Sequence, residues 1–485
     1  MTAWPTGSRR YSRLEVCATP SEFLPLEVTF LLLNQTFYPD VASTAQHLRD
    51  VALALAGQGH EVTVLASRRA YDDPEKVFPK QETWGGIRII RVGSTGFGKG
   101  ARWRRAADFA SFLALCAVRL ALLRRPDVVL AMTSPPLISF LAAWFTKLRR
   151  ARFVYWVMDL NPDEALAAGW LAPGSLTARL LEGMSRFSLR RADRVIALDR
   201  FMRERIVAKG IDPAKIVVLP PWPQDTEVRF DPAGGKRFRK EQGLEGKFVV
   251  MYSGNHSPCH PLETLLEAAR RLAGDSSLVF CFVGGGSEWR RIREQQLEHR
   301  LSLDPRAPGL DSLGDGGSTL NVLTLPYQPL AQLSASLSAA DLQVVVMGDL
   351  FVGLVHPCKI YNILNIGAPV LYIGPERSPV TELAAAAGGR LTCYSARHGD
   401  VEAVVTAIRS ARAARNAARF HPQPSTANHL SKQALLDELL RLLGATAAGR
   451  AGLHVSPARK GSVSGRGASP RRPQTGAFGE SALPK

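Results

Sequence analysis

Near-continuous apolar runs alternate with helical periodicities along most of this chain. The first run, Val28–Leu33, has the character of a strand buried on both faces of a parallel sheet. A polar loop, Asn34–Asp40, follows it. Leu48, Val51, Ala52 and Leu55 then recur at helical spacing, in a helix that opens near Ser43 or Thr44 and closes at Gly57 and Gly59. The next run, Glu61–Ala66, completes a βαβ unit. The same reading predicts strands at Ile87–Val92, Asp127–Met132, Phe153–Met158, Arg194–Leu198 and Ile216–Leu219, with helices between them. Pro220-Pro221-Trp222-Pro223 punctuates the end of this unit.

After a polar stretch the pattern restarts. Phe248–Tyr252 reads as a strand and Ser253-Gly254-Asn255-His256 as a tight loop. A helix begins near Pro261, with Leu262, Leu265, Leu266, Ala269 and Leu272 on one face. Leu278–Val283 is the next strand and runs into Gly284-Gly285-Gly286. Weaker strands are expected at Asn321–Leu325, Leu342–Met347 and Val370–Ile373, and Asp304–Ser318 reads as a loop insertion. The implied fold class is α/β, with two doubly wound, Rossmann-like domains facing across a cleft. The expected division is a disordered leader at 1–26, a first domain at 27–222, a linker at 223–245 and a second domain at 246–427. A helix at 428–445 crosses back toward the first domain, and a disordered basic tail occupies 446–485.

Composition narrows the class. A chain of 485 residues is too long for one core, and 46% hydrophobic with 21% charged residues is ordinary for a folded protein. The six cysteines are scattered without regular spacing, which points to a reducing compartment rather than a disulfide scaffold. The net charge is +18. Part of it lies in the Gly-, Ser-, Pro- and Arg-rich stretch after Gly444, which is too poor in large apolar residues to build a core. Basic clusters at 102–105, 124–125, 147–150 and 190–191 flank apolar segments such as Phe109–Leu123 and Leu137–Phe145. Such a surface suits an anionic membrane, a phosphorylated substrate or nucleic acid; solvated helix ends explain any one cluster. Nucleic acid ranks last, because no aromatic-interleaved sheet face accompanies the charge. Neither segment reaches the ~18–20 apolar residues that span a bilayer. The opening residues lack a signal-peptide apolar core, so the expected location is cytoplasmic, peripheral on the inner face of the plasma membrane.

Residues 351–373, FVGLVHPCKIYNILNIGAPVLYI, carry the most chemistry. A helix opens at Pro357 and closes at Gly367, with Lys359 in its first turn. Unsatisfied N–H groups plus an ammonium at a helix start favour phosphate; the alternative is a solvated surface lysine. Gly254, Asn255 and His256, and likewise Gly285 and Gly286, follow strands where a ligand could approach the backbone, although a bare turn explains the first group equally well. Gly284-Gly285-Gly286-Ser287 does not match a dinucleotide fingerprint. His256, Cys259, His260, His356 and Cys358 are soft ligands, but their spacing fits no common zinc pattern, so no metal is expected. No two aspartates are separated by one residue, so no metal–diphosphate site of that kind exists. Asp159 ends a buried strand; it either faces the cleft or caps the next helix.

Taken together, several blocks resemble the group 1, or family 4, glycosyltransferases of the GT-B fold, over about residues 27–445. They include LLLNQTFYPD, TAQHLRDVALALAGQGHEVTVLAS, TSPPL, YWVMDLNPDEALAAGWL, VVMYSGNHSPCHPLETLLEAA, FVGGGSEW and HPCKIYNILNIGAPVLYIG. TSPPL and DLNPDEA look most like the branch that builds exopolysaccharide, colanic-acid and O-antigen units. The resemblance implies sugar transfer, with retention, from a nucleoside-diphosphate donor to a glycan or polyprenyl-diphosphate-linked acceptor, with no cofactor. It implies catalytic roles for Asp159, His356 and Lys359. Gly254, Asn255, His256, Gly285, Gly286, Lys359 and Asn362 would flank the donor, and Asn34, Phe37, Asp40 and His47 the acceptor. The chain departs from the family at three places. Leu354 and Asn362 stand where the family carries a pair of glutamates, the Gly-rich first loop reads Val41-Ala42-Ser43-Thr44, and the arginine after Gly254-Asn255 is absent. These departures keep open a non-catalytic subunit that binds a nucleotide-sugar or glycan.

Overall fold

The computed structural model describes residues 27–448, apart from 41, 71–74, 98–101, 224–227, 290–291, 295–320, 388, 390 and 418–429. The expected leader, the insertion at 304–318 and the tail beyond 448 lie outside the described residues. Strands β1 (Thr29–Leu33), β2 (Glu61–Ser67), β3 (Gln81–Trp84), β4 (Ile87–Val92), β5 (Val128–Ala131), β6 (Arg152–Trp156), β7 (Arg194–Ala197) and β8 (Ile216–Val218) form the first sheet. Their spatial order is β3-β4-β2-β1-β5-β6-β7-β8, parallel except for β3 against β4. Helices α1 (Ser43–Gly57), α2 (Arg102–Leu122), α3 (Ile138–Arg149), α4 (Asp163–Ala167), α5 (Leu176–Arg191) and α6 (Arg200–Ala208) connect them.

After α7 (Pro232–Glu241), the second sheet holds β9 (Phe248–Asn255), β10 (Leu278–Gly285), β11 (Val322–Leu325), β12 (Leu342–Val346), β13 (Val370–Ile373) and β14 (Cys393–Ala396). Its order is β11-β10-β9-β12-β13-β14, all parallel. Its helices are α8 (Glu263–Arg271), α9 (Leu330–Ser338), α10 (Lys359–Ile366), α11 (Pro379–Ala386) and α12 (Val401–Asn416); α13 (Lys432–Ala448) follows. Strand order reverses between β1 and β5 and again between β9 and β12. Ligands of open α/β sheets bind at such switch points, outside the carboxyl ends of the strands.

Three details depart from the sequence reading. Two edge strands, β3 and β14, were not foreseen: QETW and CYSA carry only intermediate or exposed positions apart from Ala396, so they lack the apolar signal of a central strand. The supposed tight loop at Ser253–Asn255 is instead the end of β9, which stays paired with β10 through Gly254↔Gly284 and Asn255↔Gly285. The glycines make this possible, because a Cβ on Gly284 would lie 2.1 Å from the Gly254 carbonyl oxygen. Finally, α13 continues to Ala448, past the expected helix end and into the first residues of the expected tail.

Among the contacts that tie the second half of the chain to the first domain, two are extended. Leu435, Leu436, Leu439 and Leu443 of α13 are buried in the first domain's core, and the Lys432 ammonium lies 3.0 Å from Asp50. The other connection is a strap at Leu350–His356. Leu354 is 2% exposed and belongs to the first domain's core although it precedes α10 of the second. Its carbonyl accepts the Leu160 N–H at 2.7 Å, and the Val352 carbonyl accepts Arg205 Nε at 2.8 Å. Gly353 adopts φ 75°, and a Cβ there would lie 2.7 Å from Phe201 backbone atoms, so only glycine lets the strap approach α6.

Candidate functional site

Pro357 opens the α10 segment: the Ile360 N–H donates to the Pro357 carbonyl at 3.1 Å, and Gly367 closes the helix at φ 72°. Lys359 is the first residue of α10 and points back toward the end of β9. Its Nζ lies 3.5 Å from the Tyr252 ring centroid, a cation–π contact. A Cβ on Gly254 would lie 3.2 Å from the lysine Cε and Nζ, so this glycine leaves the room that the side chain occupies. The Nζ is shut off from solvent and has no hydrogen-bond partner. Burial pushes its pKa well below the usual lysine range. An ammonium left without a counter-charge at a helix start, beside two glycine-lined strand ends, is arranged to receive an anion.

Across the cleft, Asp159 and Glu164 come from the loop after β6 and from the first turn of α4. Pro162, rather than Asp159, holds the N-cap position of α4, and no side chain caps it. The helix-cap reading of Asp159 is therefore set aside; its charge instead reaches the Cys259 and Cys358 thiols of the second domain. Burial, and then the Glu164 charge, push the Asp159 pKa up to about 8. Glu164 is raised as well, chiefly by burial. Its carboxylate accepts from Asn161 Nδ2 at 3.1 Å and from the Cys259 thiol at 3.8 Å, so it reaches a loop of the second domain. Sequence reasoning passed over Glu164; its only signal was its place inside the DLNPDEA block.

His356 is reassigned. Its Nδ1 lies 2.7 Å from Asp199 Oδ2 of the first domain, and its Nε2 lies 2.9 Å from the Tyr361 hydroxyl. Both ring nitrogens are engaged and the side chain is buried, so it braces the start of α10 against α6 instead of meeting a substrate. Asp199 also caps α6 by accepting the Met202 N–H at 2.8 Å.

His256 is fully buried. Its backbone N–H donates to the Gly285 carbonyl at 2.7 Å, and its Nε2 has no partner. Burial lowers its pKa to about 4 and that of His260 to about 3, so both are neutral at neutral pH. Asn255 is exposed at the end of β9. A Cβ on Gly285 would lie 3.0 Å from the Tyr327 ring, and one on Gly286 would lie 2.2 Å from the His256 carbonyl oxygen. These glycines serve loop-to-loop packing first. Asn362 is half-buried further along α10. Among the described residues, no three His, Cys, Asp or Glu side chains group as a metal site.

The expected acceptor wall is mostly interior. Phe37 is a core residue at 2% exposure. His47 is buried, with Nδ1 2.7 Å from the Ser43 carbonyl and Nε2 3.2 Å from the Trp222 carbonyl, and burial lowers its pKa. With Trp222 Nε1 donating to Asp50 at 3.0 Å, it fixes the end of the first domain. Helical periodicity placed His47 on α1 but could not show which packed neighbour it meets. Asn34 is also buried and shapes the loop after β1, its Nδ2 donating to the Thr36 carbonyl at 2.8 Å. Asp40 remains half-buried at the turn.

Two Rossmann-like domains with a cationic helix start on one side of the cleft and carboxylates on the other define a GT-B glycosyltransferase architecture. The comparisons agree. Residues 44–222 match the Glycosyl transferase 4-like domain. Over 393 residues, 79% of this chain and 91% of the relative, it is 24% identical to a chain named as a colanic acid biosynthesis glycosyl transferase, WcaI, of Escherichia coli strain K12. The first half of the chain thus carries a glycosyl transferase 4-like domain, and the chain as a whole is similar to group 1, family 4 glycosyltransferases of polysaccharide biosynthesis. In fold it is similar to an α,α-trehalose 6-phosphate synthase from Burkholderia multivorans (TM-score 0.62, 13% identity, 90% of this chain and 100% of that one). It is likewise similar to Anabaena HepE in complex with UDP-glucose (TM-score 0.57, 14% identity, 88% and 100%).

Proposed function

We propose that this chain transfers a sugar, with retention and without a metal, from a nucleoside diphosphate to a hydroxyl of a glycan growing on a polyprenyl-diphosphate carrier, in cell-surface polysaccharide synthesis. The observation that carries the reading is the buried, unpartnered Lys359 side-chain nitrogen at the start of α10. As the bond from the sugar's anomeric carbon to the diphosphate oxygen breaks, negative charge develops on the leaving group. Lys359 and the helix start stabilise that charge. The acceptor oxygen bonds to the same carbon and gives up its proton. Asp159, with its pKa near 8, suits that proton transfer near neutrality. The structural neighbour that binds UDP-glucose and the relative named for colanic acid synthesis both support this reading.

A lipid-linked acceptor requires approach to a membrane. Among the described residues no helix is long and apolar enough to cross one. Val118 and Leu122 of α2, Trp144 and Leu148 of α3, and Leu176 and Leu180 of α5 are exposed on neighbouring helices. Lys147 Nζ lies 5.0 Å from the Trp144 ring centroid. Apolar side chains interleaved with cations favour peripheral binding to anionic lipid.

The test is a panel of UDP-, GDP- and dTDP-sugars, scored by thermal shift and then by transfer. Binding at a hundredfold excess over Kd stabilises by about 2.7 kcal/mol. A stabilising donor that is turned over supports the enzyme reading. Binding without turnover over a broad acceptor panel supports the non-catalytic subunit, and binding of none refutes both.

A further inference from the structure

Building on that reading, we propose that Glu164, together with Asp159, contacts the hydroxyl groups of the transferred sugar and makes the site select neutral or amino sugars over acidic ones. With the diphosphate on Lys359, the sugar must lie between the leaving group and the acceptor, which is the boundary between the domains. Helix α4 occupies that boundary: Ala167 and Ala168 pack against the second domain's core. The Glu164 carboxylate already bridges to Cys259, on the loop that follows β9. Asp159 sits close enough to Cys259 and Cys358 for its charge to be felt at both thiols. The carboxylates therefore face the two loops that frame Lys359.

The pair is held in place from behind. Lys209, 7% exposed, places its Nζ 2.7 Å from Asp163 and 2.6 Å from Glu182, pinning the start of α4 between α5 and α6. Ser185 donates to the Asn161 carbonyl at 2.8 Å. The Leu160–Leu354 hydrogen bond fixes the Asp159 loop on the strap. The strap adds no carboxylate of its own, because Leu354 points into the first domain's core. Burial raises the Cys259 and Cys358 thiols to about 12, so they are neutral and do not compete. A sugar hydroxyl can donate to these carboxylates and an amino sugar can pair with them. A uronate would add a third acidic group in a partly desolvated site.

The experiment is calorimetric binding of UDP, UDP-glucose, UDP-N-acetylglucosamine and UDP-glucuronate, with GDP/GDP-mannose and dTDP/dTDP-glucose series in parallel. It uses the full chain and the near-isosteric variants Glu164→Gln and Asp159→Asn. Expected are nucleoside diphosphate affinities within about twofold of wild type. The extra affinity contributed by a neutral sugar should fall about tenfold or more in Glu164→Gln, the loss of a hydrogen bond to a charged group. Discrimination against the glucuronate should narrow in Glu164→Gln, and in Asp159→Asn once the pH is above about 8, where Asp159 is ionised in the wild type. Unchanged sugar-dependent affinity in both variants, or a wild-type preference for glucuronate, overturns the assignment while leaving the transferase reading standing. A wild-type chain that binds no nucleoside diphosphate refutes that reading, and this assignment with it.

Discussion

Putting a glutamate back at position 354, where the family carries one, should damage this protein. Leu354 is 2% exposed inside the first domain's core and anchors the strap that leads to α10. Removing a buried leucine side chain forfeits about 2–3 kcal/mol of apolar burial. A glutamate there must also stay protonated, and holding an acid of ordinary pKa about 4.3 neutral at pH 7 costs about 3.7 kcal/mol. The total, about 6 kcal/mol, is comparable to the net stability of a whole domain, about 5–15 kcal/mol. The cheaper response is to undock the strap. That breaks the Leu160–Leu354 and His356–Asp199 bonds and lets the start of α10 drift. Leu354→Glu should therefore show an early urea transition and weak donor binding, measured by fluorescence and by calorimetry. Leu354→Met, which nearly conserves volume, should lose less than about 1.5 kcal/mol. A Leu354→Glu protein with wild-type unfolding and faster transfer would refute the reasoning, and would show that the position faces the donor.

Lys359→Met should weaken nucleoside diphosphate binding about 10- to 100-fold, by loss of a charge-assisted bond, as read by calorimetry. The Lys359 pKa lies lower in the folded than in the unfolded chain, so burying this group costs stability at low pH, and the cost fades as pH rises toward 10.5. Unliganded Lys359→Met should therefore unfold no earlier than wild type at pH 7 and show a flatter pH dependence above it. Asp159 binds its proton more tightly folded (about 8) than unfolded (3.8), so its contribution to stability falls as pH rises between those values. Asp159→Asn should stabilise the unliganded chain near pH 8, a gain that vanishes near pH 4 in denaturant titrations. Asp199→Ala should cost about 3 kcal/mol, through the lost α6 cap and the stranded His356, whereas Asp199→Asn keeps the cap and costs less. A chain ending at Ala448 should sediment with anionic vesicles at low salt and be released by high salt, and Leu122→Asp with Leu148→Asp should abolish the sedimentation.

The central strands were legible because a strand covered on both faces must be apolar nearly throughout. Val28–Leu33 and Leu342–Met347 needed only their end residues trimmed. The start of α10 was legible because proline and glycine constrain the backbone locally, whatever lies around them. Lys359 was found by the same local logic. Edge strands β3 and β14 lacked that signal, being partly solvated.

Which polar side chains face the cleft was decided by the tertiary structure alone. His47 and His356 look like site histidines in the sequence. Packing instead spends His47 on the Trp222 carbonyl and His356 on Asp199 and Tyr361, partners 175, 157 and 5 residues away. Glu164 is one acidic residue among many until the fold brings it to Cys259, 95 residues on. Leu354 reads as a missing glutamate; the structure shows an apolar peg. Local sequence determines where the backbone can turn, cap and be buried, because those preferences act over a few residues. Only the long-range packing of the two domains determines which of those residues meet, and therefore which groups keep a free charge to offer a substrate.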